Sequence, residues 1–257
     1  MTVSDSTLPA PAPATKNSFQ RIAGVFFSPA ETFADIARKP DILVPLLLIL
    51  VLGFVSTFMA LPKLDWDGMI DMQMDTMKRQ NPNLGADDLE RTEGIMKKML
   101  PFTKAMVAIG PVLLIIGYLI IALVIWGACR LMGGSGDFKQ AFSATLYAHF
   151  PRVILMIIGT IVVMMKGSVN PMLMQTVVKS SVAGLANIDM MKQPVLFALL
   201  GSLEIFQIWT IVLLIIGFSA LSKLSKAKTA AIILTLWVVT VVAKVGFAAL
   251  GAMRMKS

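Results

Sequence analysis

The feature that most constrains this chain is a series of five apolar runs. Each is long enough to cross the roughly 30 Å of hydrocarbon in a bilayer, which takes about 20 helical residues. Residues 42–61 and 105–129 contain no charged side chain. Residues 144–165 carry His149, Pro151 and Arg152, residues 195–221 carry Glu204, and residues 229–250 carry Lys244. Backbone N–H and C=O groups find no water in lipid, so separate apolar runs cross as helices that satisfy their own hydrogen bonds. The expected fold is an all-α polytopic transmembrane helical bundle of about five spans, with amphipathic surface helices. Composition points the same way. Only 15% of the 257 residues are charged and 56% are hydrophobic, whereas a soluble domain has about 25% charged residues.

The net charge is +8. Many of the basic residues lie close to the ends of apolar runs, where phospholipid headgroups meet them. Membrane lipids are therefore the expected partners. No nucleic-acid recognition module is present, so nucleic acid is not. Cys129 and His149 are the single cysteine and the single histidine. An intramolecular disulfide, a cysteine cluster and a multi-histidine metal site are thereby excluded. Gly133-Gly134-Ser135-Gly136 is not followed by the Gly-Lys-Ser/Thr that a phosphate loop requires. With no metalloprotease motif, no paired intramembrane aspartates and one histidine, the chain reads as a non-enzyme with no catalytic residue, cofactor or metal.

Residues 1–17 are polar and rich in proline and alanine, unlike a secretory signal. They are expected to be a disordered tail, because they bury too little surface to offset ordering entropy. Residues 18–41 hold two amphipathic helices. Phe19, Ile22, Ala23 and Phe26 share one stripe, with Arg21 off it. Phe33, Ile36 and Ala37 form the face of the second helix, which Ser28-Pro29-Ala30-Glu31 opens with a capping-box pattern. Such helices lie in the headgroup layer, with packing on the protein's own bundle as the alternative. Residues 62–104 read as an extramembrane loop with two helices. The first has Trp66, Ile70, Met74 and Met77 on one face and Asp67, Asp71 and Asp75 on another. The second runs over residues 85–99. Residues 171–186 read as a further amphipathic helix.

The intramembrane charges are the candidate sites. An ionisable group in hydrocarbon is costly and usually has a partner or a cavity. Glu204 and Lys244 fall at similar depth on spans joined by a tight hairpin, so an ion pair between them is one reading. The other places Glu204 at the interface and lets Lys244 snorkel. Arg152 follows Pro151 near the start of the third span, on the side opposite Glu204, with His149 one turn earlier on the same face. Arg152, Arg38 and Lys39 are the candidate contacts to lipid headgroups. Met69, Met72, Met74 and Met77 have the spacing of soft copper(I) ligands, but they fit a packing face better. The aspartate row could hold a divalent cation, but fits a solvated face better. Small residues at Gly201, Gly217 and Gly246 permit close helix contact, so a homo-oligomer or a membrane-protein partner is open.

Charge does not fix orientation. Basic residues lie on both sides, and the excess opposite the N-terminus comes largely from the 62–104 loop, which is also acidic. Three stretches carry a resemblance. The first is Phe27-Ser28-Pro29-Ala30-Glu31-Thr32-Phe33 before Asp41-Ile42. The second is Gly133-Gly134 with Asp137-Phe138-Lys139-Gln140-Ala141-Phe142, Tyr147-Ala148 and Pro151. The third is Leu203-Glu204-Ile205-Phe206-Gln207-Ile208-Trp209 with Gly217-Phe218, Ser222-Lys223-Leu224-Ser225 and Trp237. In their order and spacing the chain resembles the Yip family of polytopic membrane proteins, in its bacterial branch. The resemblance implies five spans in the inner membrane, with a cytoplasmic N-terminus and an external C-terminus. Trafficking-type members imply a scaffold or adaptor activity, although bacteria lack vesicle trafficking. A small transporter or channel for ions or lipids is the alternative.

Overall fold

The computed structural model describes residues 15–254. Most of the expected tail, residues 1–14, lies outside them. Residues 15–17 belong to the folded part instead: the Lys16 N–H donates to Asp35 Oδ2 at 3.2 Å, and Asn17 caps the first helix. Among the described residues there are twelve α-helices and no named strand, only two isolated bridges.

Helices α1 (Ser18–Phe27) and α2 (Pro29–Arg38) precede the first span, α3 (Leu43–Ala60). Asn17 and Gln20 form a capping box on α1. The box expected at Ser28 does not form. Pro29 does open α2, but the Ser28 side chain makes no cap bond and Glu31 turns to Lys16 Nζ at 3.3 Å. The two helices are packed on the bundle. Val25, Phe33 and Ile36 are fully buried, while Phe19 and Phe27 remain exposed. The Phe33 ring lies so close to α11 (Ile205–Ser222) that a Cβ on Gly217 would stand 2.9 Å from it. Lying only in the headgroup layer is thus not their arrangement, because the bundle covers one face of each. The face that α1 buries is Arg21, Gly24 and Val25 rather than the expected stripe, of which Phe19 and Ala23 are exposed and Ile22 and Phe26 half-buried.

Beyond α3, the loop forms α4 (Trp66–Gln80) and α5 (Ala86–Ala108). Ile70 and Met74 are buried and Asp67, Asp71 and Asp75 exposed, as the periodicity requires. Helix α5 runs nine residues past the expected end, through Pro101. The second span, α6 (Gly110–Leu131), accordingly starts at Gly110 rather than at residue 105. Pro111 sets the break, since the residue before a proline leaves the helical region easily and proline suits a first turn.

The third span is a 28-residue rod, Phe138–Met165, six residues longer than expected. It consists of α7 (Phe138–Ala148) and α8 (Phe150–Met165), interrupted at His149. Pro151 has no N–H to continue the ladder, so the helix restarts with proline in its first turn. Residues 141–150 are all buried, and α7 is the centre of the bundle, surrounded by α1, α2, α6 and α11. An Asp137–Gln140 capping box starts it. The turn before it needs glycine at Gly133 (φ 81°) and Gly136 (φ 92°), and Ser135 N–H ties it to the Ser222 carbonyl at 2.8 Å.

Residues 171–186 do not form one helix. Pro171–Thr176 is a tight 3-10 turn and α9 is only Val182–Leu185. Between them Ser180 and Ser181 are held extended by residues 203–205, through Val182 N to Leu203 O at 3.0 Å and Ile205 N to Ser180 O at 3.2 Å. Residues 195–221 are also split. Helix α10 (Pro194–Gly201) packs against α12, and the fourth span, α11 (Ile205–Ser222), begins after Glu204. The eight residues of α10 reach only about 12 Å and cannot cross. Helix α12 (Lys226–Arg254) is the fifth span and the least buried one.

Candidate functional site

The polar residues of the bundle are distributed over its two ends. On the N-terminal face, Arg21 and Asp35 are both almost fully buried. Arg21 Nη2 lies 2.8 Å and Nε 2.9 Å from Asp35 Oδ2, and Arg38 adds a contact at 3.2 Å to Oδ1. Burial alone would raise the Asp35 carboxyl. The hydrogen bond and charge of Arg21, with Arg38, outweigh it and hold Asp35 below the ordinary carboxylate range. Asp41 caps no helix. It accepts from Ser18 Oγ and, at 3.0 Å, from Tyr147 OH. Ser143 Oγ donates to the Asp41 carbonyl at 2.7 Å, and Gln140 Nε2 to the Ala37 carbonyl at 2.7 Å. These bonds lock the α1–α2 pair and the entry to α3 onto α7. Sequence patterning found the apolar face of α2 but neither the buried face of α1 nor this lattice, since Arg21 reads as a residue off the α1 stripe. The signal that could have found it was Arg21 and Asp35 on two short facing helices.

Glu204 and Lys244 are not brought together. The Glu204 carboxylate caps α11, accepting from Phe206 N at 3.0 Å and Gln207 N at 2.7 Å. Lys244 is exposed on α12, and none of the five ion pairs among the described residues joins them. A carboxylate at a helix start is satisfied by orphan N–H groups and the helix dipole, so it needs no cation. Arg152 is exposed and donates to Gln207 Oε1, which places it beside the Glu204 end of α11 and not on the opposite side. The cause is α7, which carries the rod through eleven residues before α8 begins. His149 does not share the Arg152 face. It is buried, with Nδ1 2.7 Å from the Thr145 carbonyl and its ring 4.0 Å from that of Tyr118. Arg38 and Lys39 are exposed at the end of α2.

On the opposite face lies an open groove of about 800 Å³ between α4 and residues 172–192. One wall is Met72, Asp75, Thr76 and Arg79 of α4. The other includes Met172, Lys179, Asp189, Met190 and Met191. The walls are tied by Asn170 Nδ2 to the Gly68 carbonyl at 2.8 Å and by Asp65 N to Val169 O at 2.9 Å. Lys104 over the Trp66 ring, 5.5 Å from its centroid, fixes α5 beside α4. Met72 lines the groove while Met74 is buried, so the four methionines of α4 do not converge. The sequence reading missed this groove, because its far wall is a non-repetitive segment without periodicity.

A family model described as the Yip1 domain matches residues 23–247. The chain is also 28% identical over 204 residues to "Membrane protein YknW" of Bacillus subtilis (strain 168), with 79% of each chain covered. No solved structure matches it. The matched residues take in all three stretches of the resemblance, the contact of α2 with α11, the Asp137 capping box, four spans whole and most of the fifth. The chain is a membrane protein of the Yip1 domain family.

Proposed function

We propose that this protein is a non-enzymatic adaptor within the bacterial inner membrane, with a cytoplasmic N-terminus, and that its external groove seats an extended segment of a partner membrane protein. The observation that carries this reading is the groove between α4 and residues 172–192, about 800 Å³ and open to solvent. Its methionines adapt to varied side chains, while Asp75 and Asp189 on one hand and Arg79 and Lys179 on the other fix register. The orientation rests on the family resemblance and on the compact basic hairpin at Lys223, Lys226 and Lys228.

Transport through the bundle draws little support from the charges that suggested it. Glu204 is occupied in capping and Lys244 is exposed on the outer side of α12. A photo-crosslinking residue at Met172 or Met191 tests the adaptor reading, with Val239 on the exposed face of α12 as control. One discrete adduct from the groove positions, lost when Asp75 and Asp189 are made asparagine, supports it. Equal adducts from Val239, or ion or lipid flux in proteoliposomes that depends on Glu204, overturns it.

A further inference from the structure

A second cavity, about 530 Å³, lies on the N-terminal face where α1, the start of α3 and the start of α7 meet. Four cations line it, Lys16, Arg21, Lys39 and Lys139, against one carboxylate, Asp41. Two of the cations are committed. Arg21 is held by Asp35 at 2.8 Å, and Lys16 Nζ by Glu31 at 3.3 Å. Asp41 is committed as well, to Ser18 and Tyr147. Lys39 and Lys139 remain, both exposed, and among the described residues neither has a carboxylate within 4 Å. Ser18 and Tyr147 are neutral donors and leave the formal charge of Asp41 in place, so the cavity keeps one excess positive charge, carried by two lysines that no carboxylate touches.

Its position narrows the ligand. Ile42 and Leu43, the first residues of the first span, form part of the rim, and Leu43 is 66% exposed. A ligand here has its charged part between two lysines and its remainder beside a lipid-facing leucine. We propose that this cavity binds the phosphate of an anionic phospholipid headgroup, with Lys39 and Lys139 as its direct cationic contacts. The acyl chains then run along the exposed face of α3, where Leu43, Leu47 and Val51 follow one another at helical spacing. A free inorganic phosphate would satisfy the same lysines but leave the apolar rim unused. The inference is independent of what the groove on the other face binds.

The test uses the full chain in nanodiscs of phosphatidylcholine doped with phosphatidylglycerol, with retained lipid counted by native mass spectrometry. Wild-type protein retains phosphatidylglycerol in preference to phosphatidylcholine. The Lys39→Gln/Lys139→Gln variant loses about 100-fold of that preference, the loss of two direct charge-assisted hydrogen bonds to the phosphate. A Lys223→Gln/Lys226→Gln variant removes the same charge outside the cavity, gives up only diffuse surface attraction and loses at least several-fold less of the preference. Both lysine pairs are exposed, and unchanged melting in pure phosphatidylcholine verifies that each variant folds. Equal loss in both variants, no loss in the first, or stabilisation by inorganic phosphate without phosphatidylglycerol enrichment overturns the proposal.

Discussion

The buried Arg21–Asp35 pair predicts how firmly α1 and α2 hold to the bundle. Arg21 is 3% exposed and Asp35 2%. Replacing Asp35 by leucine leaves the guanidinium buried without a carboxylate, at a cost of about 3–5 kcal/mol. Replacing Arg21 by methionine is milder, about 1–3 kcal/mol, because Asp35 keeps Arg38 at 3.2 Å and the Lys16 N–H at 3.2 Å. Substituting both removes the two charges together and is close to neutral, or stabilising by about 1–4 kcal/mol. The readout is chymotryptic cleavage after Phe33, whose side chain is 1% exposed and reaches a protease only when α2 lifts from Gly217. Cleavage that is slow relative to reclosing tracks the open population. A loss of about 4 kcal/mol then raises the cleavage rate about 10³-fold, at 1.36 kcal/mol per decade. The single Asp35→Leu variant should show that rise and the double variant should lose it. Cleavage of Asp35→Leu within about tenfold of wild type, or equal rates in the single and double variants, would refute a mutually compensating buried pair.

The same pair sets an acid limit. The Asp35 carboxyl is held below its ordinary value, so its contribution is present above about pH 4 and is lost as pH falls through the lowered folded value. Trp209, 5.2 Å from Phe26 across the α1–α11 contact, should change emission only in that acid range, and the transition should vanish in Asp35→Leu. Glu204→Ala should cost about 0.5–2 kcal/mol of thermal stability by removing the α11 cap. Combined with Lys244→Ala it should be additive within about 0.5 kcal/mol, and a coupling well above that would restore the ion pair. Gly217→Ala should destabilise α2 docking by about 1–3 kcal/mol through the Phe33 contact at 2.9 Å, and Phe33→Leu should relieve part of that loss. Phe33 substitution without any relief would place the strain elsewhere.

What the sequence determined by itself was the set of elements whose cause is local or one-dimensional. Lipid demands long apolar helices, so all five spans and the two-helix loop were legible from hydropathy and period. The amphipathic faces of α2 and α4 were legible for the same reason, whereas α1 buries Arg21, Gly24 and Val25 and exposes Phe19 and Ala23 of its expected stripe. The ends of elements were less so, since α5 continues through Pro101 and the third rod begins at Phe138. The tertiary structure alone decided the use of the polar residues. Glu204 looked like an intramembrane charge needing a cation, but residues 180–181 hold the backbone before it extended and α11 offers it N–H donors. Arg21 looked solvent-facing, and Asp35 on a neighbouring helix buries it. The groove depends on two segments about a hundred residues apart. A charge in a sequence states a cost, but only the fold supplies the partner that offsets it, because the partner is chosen by proximity in space and not along the chain.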